Sequence, residues 1–283
     1  MKSLVDFVLG RMKAERSEDP FLRDEIWIKK WRPLIQQILR WFRPTFSGAE
    51  NLPADGPMLL VANHSGGLYT PEAYVMMEWW ARNRLSQPLY VLAHDFLFSV
   101  PLFNDVLRRA GGIPASVHNA EAALQSGASL LVFPGGDFEA FRPWWQRDRV
   151  EFSGRMGFVR LALRNNVPIV PVVAHGSHDT TFVVSRGERL ASLLKLDRVR
   201  SRIMPFVIGV PWGLVPGFIP VVPLPAQIAV RFLPALNLAY GVEAATDRAA
   251  VRKCYEDVVE LMQAALQQMV REHPFPLSLS SLR

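Results

Sequence analysis

The chain has little cysteine and little charge. Its 283 residues include one cysteine, Cys254, which excludes a disulfide framework and any metal site built from several cysteines. A single cysteine also fits a reducing compartment. Only 20% of the residues are charged and 49% are hydrophobic, so a disordered chain, a collagen-like repeat and a coiled coil are excluded. The chain is long enough to bury a full core.

Several motifs of common enzyme classes are also missing. No G-x-S-x-G elbow is present, so a serine hydrolase of the α/β type is poorly supported. Neither G-x-x-x-x-G-K-[ST] nor G-x-G-x-x-G occurs, so no nucleotide-binding loop is predicted. The basic excess, 32 Lys and Arg against 26 Asp and Glu, is not accompanied by a nucleic-acid-binding module. We therefore expect no nucleic-acid partner.

Near the start of the chain, residues 20–43 predict a pair of amphipathic helices bent at Pro33. Five basic residues and no acidic one lie between positions 26 and 43. Such a basic helix with Trp on its apolar side is typical of a segment lying on an anionic membrane; the alternative is a helix that covers the core. The apolar residues expected to share one face are Ile28, Trp31, Ile35, Ile38 and Phe42.

A second apolar feature is the stretch at residues 203–230, which carries no charge and is long enough to span a bilayer. Its six prolines argue against a membrane-spanning helix. We predict an apolar loop that packs on the core, dips into a membrane interface or lines an acyl pocket. The first 20 residues predict no export signal, because their apolar stretch is short and lacks a cleavage site.

Between these features, short apolar runs alternate with helical patterns. This alternation predicts an α/β fold with a mostly parallel sheet flanked by helices. We expect an N-terminal amphipathic arm over 1–49 and one catalytic domain over 50–283. The predicted strands cover residues 58–63, 89–94, 129–135, 168–176 and 228–236, and the predicted helices cover 71–82, 119–127, 157–166 and 247–272.

The loop after the first predicted strand carries a candidate general base, His64. Such a base needs a carboxylate on its other ring nitrogen to fix the tautomer. Glu72, in the first turn of the next helix, and Asp95, after the second strand, are the two candidates. The small residues that would let a substrate approach the base are Ser65, Gly66 and Gly67.

The loop after the third predicted strand carries two glycines and several charges. The amides of Gly135 and Gly136 are candidates for an anion-binding nest. Arg142 is a candidate to grip a phosphate or carbonyl oxygen, with Glu139 holding an arginine in place. Arg155, in a glycine-flanked turn, is a further phosphate candidate.

A third loop carries His175, His178 and Asp179. Their spacing is one that a metal could use, but pairs of this kind often arise by chance. We expect these residues to form one wall of the pocket, and we expect no metal site.

Four sequence blocks occur in a fixed order: GPMLLVANHSGG, GGIPAS, LLVFPGGDFEAFRP and GFVRLALRNNVPIVPV. Over roughly residues 45–240 this set resembles the lysophospholipid (glycerolipid) acyltransferase family. The resemblance implies an α/β sheet held on the membrane by an N-terminal helical element. It also implies transfer of a fatty acyl group from acyl-CoA or acyl carrier protein to a lipid hydroxyl, with His64 as the base.

This sequence departs from the family pattern in three blocks. The usual acid lies five positions past the histidine, where Tyr69 stands here. The second block lacks its usual arginine, and the third reads Pro-Gly-Gly in place of Pro-Glu-Gly. The third block resembles that of the diacylglycerol-type acyltransferases, whose acceptors are neutral lipids.

The resemblance implies a direct transfer without a metal, nucleotide, cofactor or covalent intermediate. His64, oriented by Glu72 or Asp95, would deprotonate the acceptor, and a backbone amide near Gly135 would stabilise the oxyanion. Arg142 and Arg155 would hold phosphate or pantetheine-side groups. We expect a cytoplasmic protein, peripheral on the inner face of the membrane. The alternatives are a lipid esterase or thioesterase that uses water, and a catalytically silent lipid-binding protein.

Overall fold

The computed structural model describes residues 19–99, 103–194, 196, 202–236 and 241–274. The first part of the predicted arm, with the stretch tested for an export signal, lies outside the described residues. Within these ranges the strands are β1 (Thr45–Ser47), β2 (Leu59–Ala62), β3 (Leu89–Ala93), β4 (Gly112–Pro114), β5 (Ser129–Val132), β6 (Ile169–His175), β7 (Phe182–Ser185), β8 (Phe206–Gly209), β9 (Gly213–Pro216) and β10 (Ala229–Phe232).

Seven of these strands form the main sheet, in the order β1-β10-β6-β2-β5-β3-β4. The strands from β6 to β4 run parallel, β10 is antiparallel to β6, and β1 is parallel to β10. Every residue of β2, β5 and β6 is buried, as continuous apolar runs predict for strands covered on both faces. The predicted mostly parallel α/β sheet is therefore confirmed, and the carboxyl ends of β2 and β5 lie side by side.

Helices cover both faces of the sheet. One face carries the core cluster around the helices at 117–125, 157–165 and 248–272, and the other carries the cluster around the helices at 25–39 and 71–83. All four helices predicted in the catalytic domain are present, and Cys254 is buried in the last of them. The helices are α1 (Glu25–Leu39), α2 (Pro71–Asn83), α3 (Asp95–Phe98), α4 (Phe103–Ala110), α5 (Val117–Gln125), α6 (Gly136–Ala140), α7 (Gly157–Asn165), α8 (Glu188–Leu193) and α9 (Arg248–Glu272).

The predicted helical pair is a single helix, α1, which continues through Pro33 and ends in a 3-10 turn, Arg40–Phe42. The prediction of one apolar face was wrong as well. Ile28, Leu39 and Phe42 are buried and Ile35 is half-buried, so these residues face the body of the protein. A second apolar stripe points outward and consists of Trp31, Leu34, Ile38 and Trp41, which are 40–60% exposed. We call this set the outer stripe.

The stretch predicted as an apolar loop contains regular structure. β8 and β9 form an antiparallel hairpin that pairs with β7 in a separate three-stranded sheet, and β10 begins at the end of the stretch. The prolines allow this because β9 ends at Pro216, while the others lie outside the paired strands. β1 lies within residues 1–49, so the predicted arm also contributes an edge strand. Within the described residues, no helix is both long and apolar enough to cross a bilayer.

Candidate active site

His64 follows β2 and faces a carboxylate. Its Nδ1 lies 2.8 Å from Oε1 of Glu72, which also accepts a hydrogen bond from the Ser65 amide at 2.9 Å. The Glu72 side chain is fully buried at the start of α2, where the helix dipole favours a negative charge. The imidazole is 16% exposed and stacks on Phe133 at 4.3 Å between ring centroids. The geometry fixes the Nδ1–H tautomer and leaves Nε2 available.

The loop between His64 and Glu72 explains their unusual spacing. Gly66, Gly67 and Thr70 all have positive φ, so the chain doubles back and places the first turn of α2 over the histidine. Side chains are poorly tolerated here, because a Cβ on Gly66 would lie 2.5 Å from Pro71. Tyr69, at the position of the family's usual acid, instead packs against the apolar cluster at the hairpin.

The alternative partner, Asp95, was predicted on the assumption that its strand neighbours that of His64. It begins α3 after β3, and β5 lies between β2 and β3. At the usual strand spacing this separates the two carboxyl ends by about 10 Å. The structure therefore assigns Glu72, not Asp95, as the acid that contacts His64.

Behind the histidine lies a fully buried ion pair, Glu139 with Arg142, at 3.3 Å. The Glu139 carboxylate accepts hydrogen bonds from the amides of His64 and Glu151, each at 2.9 Å. Burial raises the pKa of Glu139, and the Arg142 guanidinium opposes that rise. Glu139 thus holds an arginine, as predicted, and also fixes the backbone of the catalytic candidate.

Arg142 does not face a substrate, which corrects its predicted role. Its side chain is 0% exposed and donates to the carbonyl oxygens of His64, Glu139 and Arg147. These carbonyls and the Glu139 carboxylate surround the guanidinium, so Arg142 joins the His64 loop to the loop after β5. Its role is positioning.

Gly135 and Gly136 form the turn that starts α6. The Gly136 amide donates to the Phe133 carbonyl at 3.0 Å, so this amide is already engaged and Gly135 remains the candidate oxyanion donor. Arg155 donates to the carbonyls of Pro134 and Gly135 at 3.2 and 2.9 Å and keeps 45% of its side chain exposed. It supports the turn from outside.

The surroundings of Gly135 explain why the third block has a glycine where the family pattern has a glutamate. A Cβ on Gly135 would overlap the Cβ and carboxylate of Glu139. The Glu139 carboxylate therefore fills the space beside residue 135, where the family pattern that this sequence resembles places its own glutamate. This chain therefore has a carboxylate beside position 135 that comes from a residue four positions further along the chain.

We expect Gly135→Ala to be strongly destabilising, because Cβ and Glu139 cannot both occupy that space. The loss expected from such overpacking is about 1–3 kcal/mol of unfolding free energy. Urea unfolding followed by circular dichroism measures it. Gly157→Ala is the matched control, since no atom lies within 4 Å of a Cβ there. Equal stability of the two variants would contradict the arrangement.

The loop after β6, which carries His175, His178 and Asp179, contacts the residues around the buried ion pair. His178 Nε2–H donates to the Arg142 carbonyl at 2.7 Å, and Asp179 accepts from Trp144 at 3.1 Å. His175 donates to the His273 carbonyl at 2.9 Å. With Ser65 and Arg142, all three predicted wall residues line a small polar cavity. Through the bond between His178 and the Arg142 carbonyl, this loop contacts the ion pair.

Burial, followed by the charge of Arg142, holds the pKa of His178 well below its ordinary value. The unfolded chain binds this proton near pH 6.5, so the free energy of unfolding should fall as pH drops below that value. This one group contributes a slope of up to about 1.4 kcal/mol per pH unit. Urea unfolding at a series of pH values should show a smaller slope for His178→Gln. The exposed His118→Gln variant should keep the wild-type slope.

Sequence reasoning missed Phe133 and Glu151. Phe133 follows β5 as His64 closely follows β2, and these neighbouring parallel strands bring the two rings together. Glu151 donates its amide to Glu139 and its carboxylate pairs with Arg186. A knowledge of strand order would have pointed to Phe133. Nothing in the local sequence marks Glu151.

The family model named Acyltransferase matches residues 43–175, which contain the paired histidine and glutamate and the buried ion pair. An uncharacterized protein of Mycobacterium tuberculosis is 31% identical over 271 residues, covering 95% of this chain and 74% of that protein. Diacylglycerol O-acyltransferase 2B of Umbelopsis ramanniana is 33% identical over 155 residues, which are 52% of this chain and 44% of that protein. The range that the family model matches spans all four sequence blocks.

The fold is similar to the crystal structure of the 1-acyl-sn-glycerophosphate acyltransferase PlsC from Thermotoga maritima. The TM-score is 0.52 at 16% identity, over 94% of this chain and 88% of that one. This likeness shows that the two chains share a fold. The chain belongs to the glycerolipid acyltransferase family, which confirms the resemblance.

Proposed function

We propose that the protein transfers an acyl group from acyl-CoA or acyl carrier protein to a hydroxyl of a glycerolipid or lysophospholipid. The observation that carries this proposal is the 2.8 Å contact of His64 Nδ1 with buried Glu72. Because Nδ1–H donates to the carboxylate, Nε2 carries the lone pair that a general base needs.

The reaction proceeds by direct attack. His64 Nε2 takes the proton of the acceptor hydroxyl, and the hydroxyl oxygen forms a bond to the carbonyl carbon of the acyl thioester. The tetrahedral intermediate collapses with cleavage of the C–S bond, and His64 returns the proton to the departing thiolate. Glu72 stabilises the imidazolium between these two proton transfers. The products are an ester and a free thiol, and these steps use no cofactor.

The oxyanion needs a donor close to the carbonyl. The Gly135 amide is our candidate, since the Gly136 amide is bound to Phe133. Arg155 keeps the Gly135 turn in place through two carbonyl contacts and is the remaining predicted cation for a phosphate or pantetheine group.

A neutral acceptor fits the site better than a phosphorylated one. Arg142, the cation predicted nearest the base, is fully buried and bound to protein oxygens. The sequence block that resembles the family's phosphate-binding block, GGIPAS, has no arginine. Relatives include Diacylglycerol O-acyltransferase 2B and Phytyl ester synthase 2 of Arabidopsis thaliana. The second is 30% identical over 52% of this chain, which is 22% of the length of that protein. We propose that acylation of a diacylglycerol-type hydroxyl is preferred, and that the enzyme works peripherally on the inner face of the membrane.

The experiment measures thiol release from palmitoyl-CoA together with ester formation. The acceptor panel contains diacylglycerol, monoacylglycerol, a long-chain alcohol and 1-acylglycerol 3-phosphate, each in mixed micelles. Thiol release that rises with a neutral acceptor and yields an equal amount of ester is the expected result. A rise with the phosphorylated acceptor alone would keep the transferase and overturn the neutral preference. Thiol release that is indifferent to every acceptor would establish a thioesterase instead.

A further inference from the structure

One surface of the molecule is unusually apolar. Between β8 and residue 224, large hydrophobic side chains are 39–62% exposed, and the stretch has no charge. They are Ile208, Val210, Trp212, Leu214, Phe218, Val222 and Leu224. We call this segment, residues 206–224, the apolar hairpin. Single exposed apolar residues are ordinary, but a run of this length marks an interaction surface.

The apolar hairpin is continuous with the outer stripe of α1. The indole N–H of Trp41, the last residue of that stripe, donates to the Pro223 carbonyl at 2.9 Å. Two residues later, Arg43 donates to the Pro225 carbonyl at 3.0 Å. The two elements lie about 180 residues apart in the chain and form one surface, because the hydrogen bonds tie their edges together.

The backbone of the apolar hairpin suits an apolar medium. Its strands pair with each other from Phe206–Pro216 to Gly209–Gly213, so the backbone polar groups that face each other across the pair are bonded. Beyond the strands, the Val222 amide donates to Val210 at 2.8 Å. Proline has no N–H that would need a partner, and this stretch is rich in proline. These bonds and the prolines lower the cost of backbone desolvation that opposes burial of the hairpin in lipid.

Charge and aromatic residues at this surface indicate what covers it. The α1 region is basic and has no acid between residues 26 and 43, and Lys29, Lys30 and Arg40 are exposed. Trp31, Trp41 and Trp212 are the residue type that prefers the headgroup region of a bilayer. The indole of Trp212 is already bonded to the Pro220 carbonyl at 3.0 Å, so its ring can enter an apolar phase without losing a partner. A protein partner would not require this basic rim, whereas an anionic bilayer attracts it.

The base of the apolar hairpin also reaches the candidate active site. Phe141 and Tyr69 pack on the cluster of Val183, Val207 and Val221. Phe141 lies beside Gly67 in the His64 loop, and a Cβ on that glycine would be 3.3 Å from its ring. The surface thus runs from exposed apolar side chains to the loops around the base.

We propose that the apolar hairpin inserts into the interface of an anionic bilayer, side by side with the outer stripe, and directs the lipid acceptor toward His64. The membrane contact stands on the surface alone, and only the delivery of the acceptor rests on the proposed function. The headgroup and upper acyl region of the bilayer would cover the apolar hairpin and the outer stripe.

The test is co-sedimentation with vesicles of phosphatidylcholine and phosphatidylglycerol at low ionic strength. Removing two large interfacial side chains in Trp212→Ala/Leu214→Ala should lower the partition coefficient about tenfold or more. The matched control, Val117→Ala/Val242→Ala, removes exposed apolar residues from the opposite layer of the sheet and should bind like the wild type. Circular dichroism checks that both variants are folded. A hairpin variant that is folded and sediments like the wild type overturns the proposal.

A second measurement places the hairpin in the lipid. Brominated phosphatidylcholine quenches tryptophans that enter the acyl region. The intensity lost to quenching should therefore fall in Trp212→Phe and stay unchanged in Trp145→Phe, which replaces an exposed tryptophan in the 3-10 turn after α6. Equal quenching in both would overturn insertion. A different result would assign the surface to a second copy of the chain: the wild-type protein does not bind the vesicles and is a dimer, and the hairpin variant is a monomer. Vesicle binding needs no turnover, so binding without any acyl transfer would refute the proposed function and the delivery of the acceptor, and would leave the membrane contact standing.

Discussion

Replacing His64 with alanine is expected to abolish acyl transfer while leaving the fold intact. The imidazole is the group placed to take the acceptor proton, and removal of a general base costs about 10²- to 10⁴-fold in rate. Its side chain is partly exposed and its amide bond to Glu139 is made by the backbone, so alanine keeps that contact. Ester formation from palmitoyl-CoA measures the loss, and thermal unfolding checks the fold.

Glu72→Gln tests the same pair from the other side. A glutamine amide facing Nδ1 favours the tautomer with the proton on Nε2, which cannot act as a base, so kcat should fall by a comparable factor. The control is Glu78→Gln, a buried glutamate on the same helix without a contact to the histidine. If Glu72→Gln keeps full activity, the pair is structural. If His64→Ala keeps it, the base lies elsewhere.

Removing the Glu139 carboxylate is expected to have the largest effect on stability. Glu139→Ala leaves the Arg142 guanidinium buried without a counter-charge and deprives two amides of their acceptor. Breaking a fully buried ion pair typically costs about 3–5 kcal/mol, a large part of the stability of an ordinary domain. Guanidinium unfolding measures the change.

Two further variants separate this effect from a general loss of charge. Glu121→Gln breaks a half-exposed ion pair with Arg164, 3.4 Å long, and should cost less than about 1 kcal/mol. Glu139→Gln/Arg142→Met removes both charges and should be more stable than Glu139→Ala, since no buried charge is left alone. An Ala variant as stable as Glu121→Gln would show that the buried pair contributes little.

The sequence predicted the parts of the site that depend on local pattern. Uninterrupted apolar runs identified β2, β5 and β6, and the residues after them were correctly expected at the carboxyl edge of the sheet. Glu72 was within reach because a glycine-rich loop and a helix start lie between it and His64. Sequence distance and backbone freedom made Glu72 one of two candidate partners for His64.

The predictions that were wrong concern features that depend on strand order and tertiary contacts. Asp95 remained a candidate because strand order cannot be read from chain order, and β5 separates its strand from β2. Arg142 was expected at the substrate because an arginine in a loop gives no sign of whether its partners lie inside or outside. The same limit applied to α1, whose two apolar stripes look like one until the body of the protein covers one of them.

Gly135 and Glu139 depend on each other, since the glycine leaves room for the carboxylate and the carboxylate occupies that room. A side chain at position 135 and the side chain of residue 139 would occupy the same space. A change at either position is therefore expected to need a matching change at the other. In related chains these two positions should covary, with glutamate moving between them while the charge behind the histidine stays fixed. A search pattern that demands an acid at a single column would pass over chains of this kind, although the negative charge is still delivered to the same place.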